Sequence, residues 1–83
     1  MLKVYGTMLC KDCVALVEKY TENKVNYEFV DITGTIEAFK EFIQLRDAQT
    51  ELFADVKKEG GIGIPCVMKE DGSYTLNWEE MLA

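Results

Sequence analysis

Cys10 and Cys13, in the segment Met8-Leu9-Cys10-Lys11-Asp12-Cys13, are the residues of this chain best suited to chemistry. A thiol pair at C-x-x-C spacing serves as a redox couple or as half of a soft-metal site. As a couple, Cys10 attacks a substrate disulfide and Cys13 resolves the mixed disulfide. As a metal site, Met8-x-Cys10-x-x-Cys13 offers soft sulfur to Cu(I). Other counts narrow the choice. The 83 residues contain no histidine, which excludes imidazole general-base catalysis, a Ser-His-Asp or Cys-His triad and a His-ligated metal. Three cysteines cannot make a fully paired secreted framework.

The elements around the pair follow from pattern. Leu2-Lys3-Val4-Tyr5 alternates and Gly6-Thr7 ends it, which predicts a first strand finishing at Gly6. A helix is expected over residues 12–21, with Val14, Val17 and Tyr20 as its apolar stripe and Asn23-Lys24 closing it. Cys10 then lies at a helix start, where unpaired N–H groups and the dipole favour thiolate over thiol. Lys11 adds a cation beside it and Asp12 an anion. Cys13 falls one turn up the helix, within reach of Cys10.

Residues 26–32 are rich in β-formers and predict a second strand, completing a βαβ unit. Thr33-Gly34-Thr35 opens a long helical region with Ile36, Phe39, Phe42/Ile43 and Arg46 on one face. The pattern slips at residues 47–50 and restarts with Leu52-Phe53 and Val56, so an additional helix or turn is expected near residues 50–58, ended by Gly60-Gly61. Residues 66–68 predict a third strand and Asp71-Gly72 a hairpin turn. Residues 73–76 form the returning strand, and Asn77 is placed to cap a short helix over residues 78–82. The fold class is α/β, one domain over residues 1–83, with a four-stranded mixed sheet flanked by helices.

Composition sets the setting. A net charge of −6 argues against nucleic acid or an anionic membrane as partner, and 48% hydrophobic residues exclude a disordered chain. No run approaches the roughly 18 apolar residues of a membrane span, and the N-terminus has no signal-peptide pattern. The expected setting is cytoplasmic and monomeric, where a C-x-x-C is more often catalytic than structural.

Ile64-Pro65 is the second clue, at the start of the third strand. Proline cannot donate to a sheet ladder. An X-Pro bond can be cis at low cost, and a cis kink there would leave the Ile64 backbone free to pair with an extended peptide. A trans proline at an edge or in a loop is the plainer alternative.

The order of strand, C-x-x-C helix, strand, helices, Ile-Pro, hairpin and short helix resembles the glutaredoxin family, with its thioredoxin-like fold, over the whole chain. Val4-Tyr5-Gly6 leading to Cys10-Lys11-Asp12-Cys13 resembles the family's active-site segment. Val30-Asp31-Ile32 resembles its second strand, and Gly63-Ile64-Pro65 its cis-proline segment. The resemblance implies a thiol–disulfide oxidoreductase with Cys10 as nucleophile, Cys13 as resolving thiol, Pro65 as the cis proline beside them and Lys11 as the neighbouring cation. It implies Leu9, Ile64 and Glu80 at the substrate, Glu80 as partner for a glutathione amine. Partners would be protein or low-molecular-weight disulfides, with glutathione or a thioredoxin-type reductase as reductant and no tightly bound cofactor. Several family features are replaced: proline by Lys11, a lysine by Thr7, an aromatic by Asp12 and Gly-Gly by Asn77-Trp78. These help hold glutathione, so the resemblance supports dithiol exchange more firmly than glutathione use.

Copper(I) chaperone domains also place such a pair after a first strand, but continue with two consecutive strands after the first helix. Here one strand precedes about 30 residues of helical pattern. A binding module that kept the fold and lost activity fits poorly with an intact dithiol. Cys66 reads as a small core hydrophobe ahead of a third metal ligand. Tyr27, Phe29, Phe39, Phe42 and Phe53 read as core or half-core residues.

Overall fold

Val4 and Tyr5 point to opposite faces of β1 (Leu2–Gly6), and each face is covered by different helices. This computed structural model describes residues 1–82. The remaining elements are α1 (Lys11–Glu22), β2 (Tyr27–Asp31), α2 (Ile36–Ala48), α3 (Ala54–Lys58), β3 (Cys66–Met68) and β4 (Tyr74–Thr75). A closing 3-10 turn spans Trp78–Leu82. The four strands form one mixed sheet in the order β2-β1-β3-β4. β1 and β2 are parallel, with Gly6 opposite Asp31, whereas β3 runs antiparallel to both β1 and β4. The α/β class and the four-stranded mixed sheet agree with the pattern in the sequence. Among the described residues, no helix is long and apolar enough to cross a membrane.

Register explains the layering. Val4 pairs with Val67, and both pack with Leu16 and Tyr20 of α1. Tyr5 pairs with Cys66, and both pack with Phe42 and Leu45 of α2 and with Phe53. Successive side chains of a strand alternate faces, so one register builds both cores.

Two stripes differ from expectation. On α1 the buried residues are Cys13, Leu16 and Tyr20, with Val14 and Val17 only half-buried beside them. Tyr20 is fixed by a hydrogen bond from its hydroxyl to the Trp78 carbonyl, 2.8 Å, and by the Trp78 ring at 6.1 Å. On α2 the buried seam is Phe42 and Leu45, while Ile36 and Phe39 stand in solvent. Phe39 is therefore not a core residue.

Thr35 caps α2, its hydroxyl accepting the Ala38 N–H at 3.1 Å. α3 is the additional helix expected near residues 50–58. Its end is a Schellman motif: the Gly61 N–H donates to the Val56 carbonyl at 2.8 Å, and Gly60 takes the positive φ of 79° that the turn requires. The chain then returns through Ile62, Gly63 and Ile64 to a cis Ile64-Pro65 bond at the start of β3. Arg46 holds this return, donating from Nε to the Ile62 carbonyl and from Nη2 to that of Gly61. The Asp71-Gly72 turn closes the β3–β4 hairpin. The Asn77 carbonyl accepts the Glu80 N–H of the last turn.

Candidate active site

Cys10 is the N-cap of α1, with extended backbone (φ −100°, ψ 126°), and its side chain makes no capping bond. The chain reaches it through a tight turn in which the Cys10 N–H donates to the Thr7 carbonyl at 3.0 Å. Its carbonyl accepts the Val14 N–H and so begins the helix. Cys10 is half-buried, whereas Cys13, one turn later, is fully buried against the end of β1.

The contact beneath Cys13 depends on Gly6. A Cβ at Gly6 would lie 2.7 Å from the Cys13 Sγ. That is well inside the ordinary contact distance of about 3.5–4.0 Å. Gly6 thus leaves the space that the second thiol occupies. Burial pushes the Cys13 thiol up to about 12, against the Thr7 backbone N–H that favours its thiolate; a hydrogen bond with Cys10 pushes it further up. At neutral pH Cys13 keeps its proton, and the more accessible sulfur is Cys10.

The turn that presents Cys10 is braced by hydroxyls. Thr33 Oγ1 donates to Asp31 Oδ1 at 2.6 Å, so the 3.0 Å contact between Thr33 and Thr7 has Thr7 Oγ1 as donor. Thr7 Oγ1 in turn accepts the Leu9 N–H at 3.2 Å. Both hydrogen bonds from Thr33, first its hydroxyl and then its N–H, hold the Asp31 carboxyl below its usual range. Asp31, Thr33 and Thr7 thereby tie the exit of β2 to the loop before α1. The sequence signal for this was the Asp-x-Thr pattern at Asp31 and Thr33, an Asx-turn signature that is common in ordinary loops.

The two sequence clues meet in space. A cleft of about 590 Å³ is lined by Leu9, Cys10, Thr7, Ile62 and Ile64, among others. Pro65 is buried just behind it and lines the adjoining cavity with Ile64 and Leu76. Lys11 is exposed on the first turn of α1, next to Cys10 in sequence but outside the cleft lining. Glu80, expected at the substrate, lies elsewhere. Its carboxylate pairs with Lys69 at 3.1 Å, and its 3-10 turn packs on Tyr20 at the far end of α1. Tyr20 lies about 15 Å along the helix axis from Cys10. Glu80 is no part of this site.

Cys66 is also separate from the reactive pair. It is fully buried among Tyr5, Phe42 and Phe53, and burial pushes its thiol up to about 12. Among the described residues, no three Cys, Asp or Glu side chains converge as metal ligands would.

A protein of Haemophilus influenzae described as uncharacterized is 31% identical over 72 residues, covering 87% of this chain and 83% of the relative. The chain belongs to the same family as that protein. No family model matches the chain, and no solved structure matches it. The aligned stretch is long enough to include most of the sheet and helices described above.

Proposed function

We propose that the protein is a thiol–disulfide oxidoreductase of glutaredoxin type, a single domain with a thioredoxin-like fold. One observation carries the reading. The C-x-x-C pair is divided into a half-buried sulfur at a helix N-cap, open to a cleft, and a buried sulfur one turn behind it.

The division of labour follows. The Cys10 thiolate attacks one sulfur of a substrate disulfide and forms a mixed disulfide, releasing the first substrate thiolate. The Cys13 sulfur then attacks the Cys10 sulfur, its proton passing to the departing substrate thiolate. The Cys10–Cys13 disulfide forms, the second substrate thiolate leaves, and two electrons have passed to the substrate. Burial keeps Cys13 protonated until the mixed disulfide brings an electrophilic sulfur to it. The Ile64 backbone, beside Cys10 in the cleft, is the candidate strand partner for the substrate. In this reading the protein works in the cytoplasm as a monomer, with glutathione or a thioredoxin-type reductase restoring the dithiol.

The test is trapping. Cys13→Ser is expected to accumulate a mixed disulfide on Cys10, visible by mass spectrometry, and Cys10→Ser to lose disulfide-reductase turnover. Full turnover in Cys10→Ser overturns the mechanism.

A further inference from the structure

Leu9, Ile62 and Phe39, three of the exposed large apolar side chains, line the candidate site and its extension, whereas Met1, Met8 and Ile36 do not. Leu9 is 86% exposed and Ile62 57% exposed, and both line the Cys10 cleft. A second cavity of about 310 Å³, towards α2, shares Thr7, Thr33, Ile62 and Ile64 with that cleft, so the two form one groove. Its outer wall is Phe39, 45% exposed, which leaves the helix stripe that would have buried it. Contiguous exposed apolar surface of this kind marks an interaction site.

Charge says what the groove accepts. Among the described residues, those lining the Cys10 cleft carry no charged side chain. The extension has Arg46, whose Nε and Nη2 are committed to the Ile62 and Gly61 carbonyls at 2.9 and 2.8 Å. A carboxylate brought against Leu9 and Ile62 would lose water and gain no partner there. Glutathione disulfide carries two carboxylates on each half. An extended protein segment with apolar side chains carries none, and its backbone can pair beside Ile64.

We propose that this groove selects protein disulfides flanked by apolar residues in extended chain and disfavours glutathione disulfide. The proposal rests on the dithiol reading above and names its substrate class. The chemistry is the exchange already described, with the reduced protein as electron donor, so a single turnover needs no further reductant.

The experiment is a quenched single turnover of the reduced full-length protein at about 0.5 M salt, which screens the long-range effect of its net charge. Four probes are compared: bis(2-hydroxyethyl) disulfide, oxidised glutathione, and disulfide-linked dimers of one short peptide with either Leu/Phe or Glu flanking the cysteine. The apolar peptide is expected to oxidise the Cys10–Cys13 pair about tenfold faster than the acidic peptide or glutathione disulfide, the order expected for burying one or two apolar side chains. Ile62→Lys and Phe39→Ser are expected to shrink that ratio, each rate being normalised to hydroxyethyl disulfide in the same variant. Equal rates for the two peptides, or glutathione disulfide reacting fastest, overturn the groove proposal and leave the dithiol reading standing. If no probe oxidises the pair, the dithiol reading falls and takes the proposal with it.

Discussion

Replacing Gly6 with alanine tests how Cys13 is seated. The added Cβ would sit 2.7 Å from the Cys13 Sγ and 3.5 Å from the Phe29 ring. The second is an ordinary contact; the first requires the sulfur to retreat by about 1 Å to reach normal carbon-contact range. The sulfur lies between α1 and the end of β1 with no exposed surface, so it yields only by turning about χ1 into packed neighbours or by shifting the helix. Overpacking of this kind costs about 1–3 kcal/mol. For a chain of this size, 1 kcal/mol shifts Tm by about 4–8 °C, so a fall of about 8–16 °C is the central expectation for the reduced protein. The cause is isolated by a double-mutant cycle. In a Cys13→Ala background the offending sulfur is gone, and Gly6→Ala should cost little. The coupling energy read from four thermal or urea melts under reducing conditions should be about 1–2 kcal/mol. An equal cost of Gly6→Ala in both backgrounds would refute the argument, because the glycine would then matter for its backbone and not for the thiol above it.

Three further outcomes follow from the same structure. At pH 7 iodoacetamide should label the native protein on Cys10 alone, because Cys13 and Cys66 are buried with thiols pushed up to about 12; comparable labelling of either, read by peptide mass spectrometry, contradicts the burial. Thr35→Ala removes the acceptor of the Ala38 N–H and should cost about 1 kcal/mol, a Tm loss of about 4–8 °C. Glu41 accepts hydrogen bonds from the Tyr5 hydroxyl and from Lys3 at 2.9 Å, which hold its carboxyl below its ordinary 4.5. Its charged form therefore stabilises the fold above pH 4.5, and that contribution is lost as pH falls through the lower folded-state value. The Tm gap between the native protein and Glu41→Gln should be widest near neutrality and close below about pH 4.5; a gap that widens in acid contradicts the sign.

The order of elements was legible because its signals are local. Alternation to Tyr5, turn residues at Asp71-Gly72 and the slip in period after Arg46 each depend on a few neighbours. The helix faces were less legible. Val14, Leu16 and Val17 are interchangeable by apolarity, and only the position of β1 beneath α1 selects Leu16. Phe39 looked like core because its spacing from Phe42 is helical, yet it stands exposed beside a cavity it lines. At the site, the thiol pair and Ile64-Pro65 were legible, and the structure brings their neighbourhood into one cleft. Glu80 was misplaced because its role depended on a chain path that the hairpin and the 3-10 turn settle elsewhere. The space under Cys13 was not legible at all: Gly6 reads as a strand end, and its packing role needs the third dimension.

The sheet order has a consequence for self-association. Its open edges are β2, which carries Glu28 and Asp31 exposed to solvent, and β4, which is only two residues long. Two copies meeting along β2 would bring carboxylates together, and β4 is too short to template a new ladder. A chain that leaves Leu9, Phe39 and Ile62 in water needs such protection. Its acidic balance, which selects no occupant for the groove, is of the sign and size that keeps copies of the same groove apart.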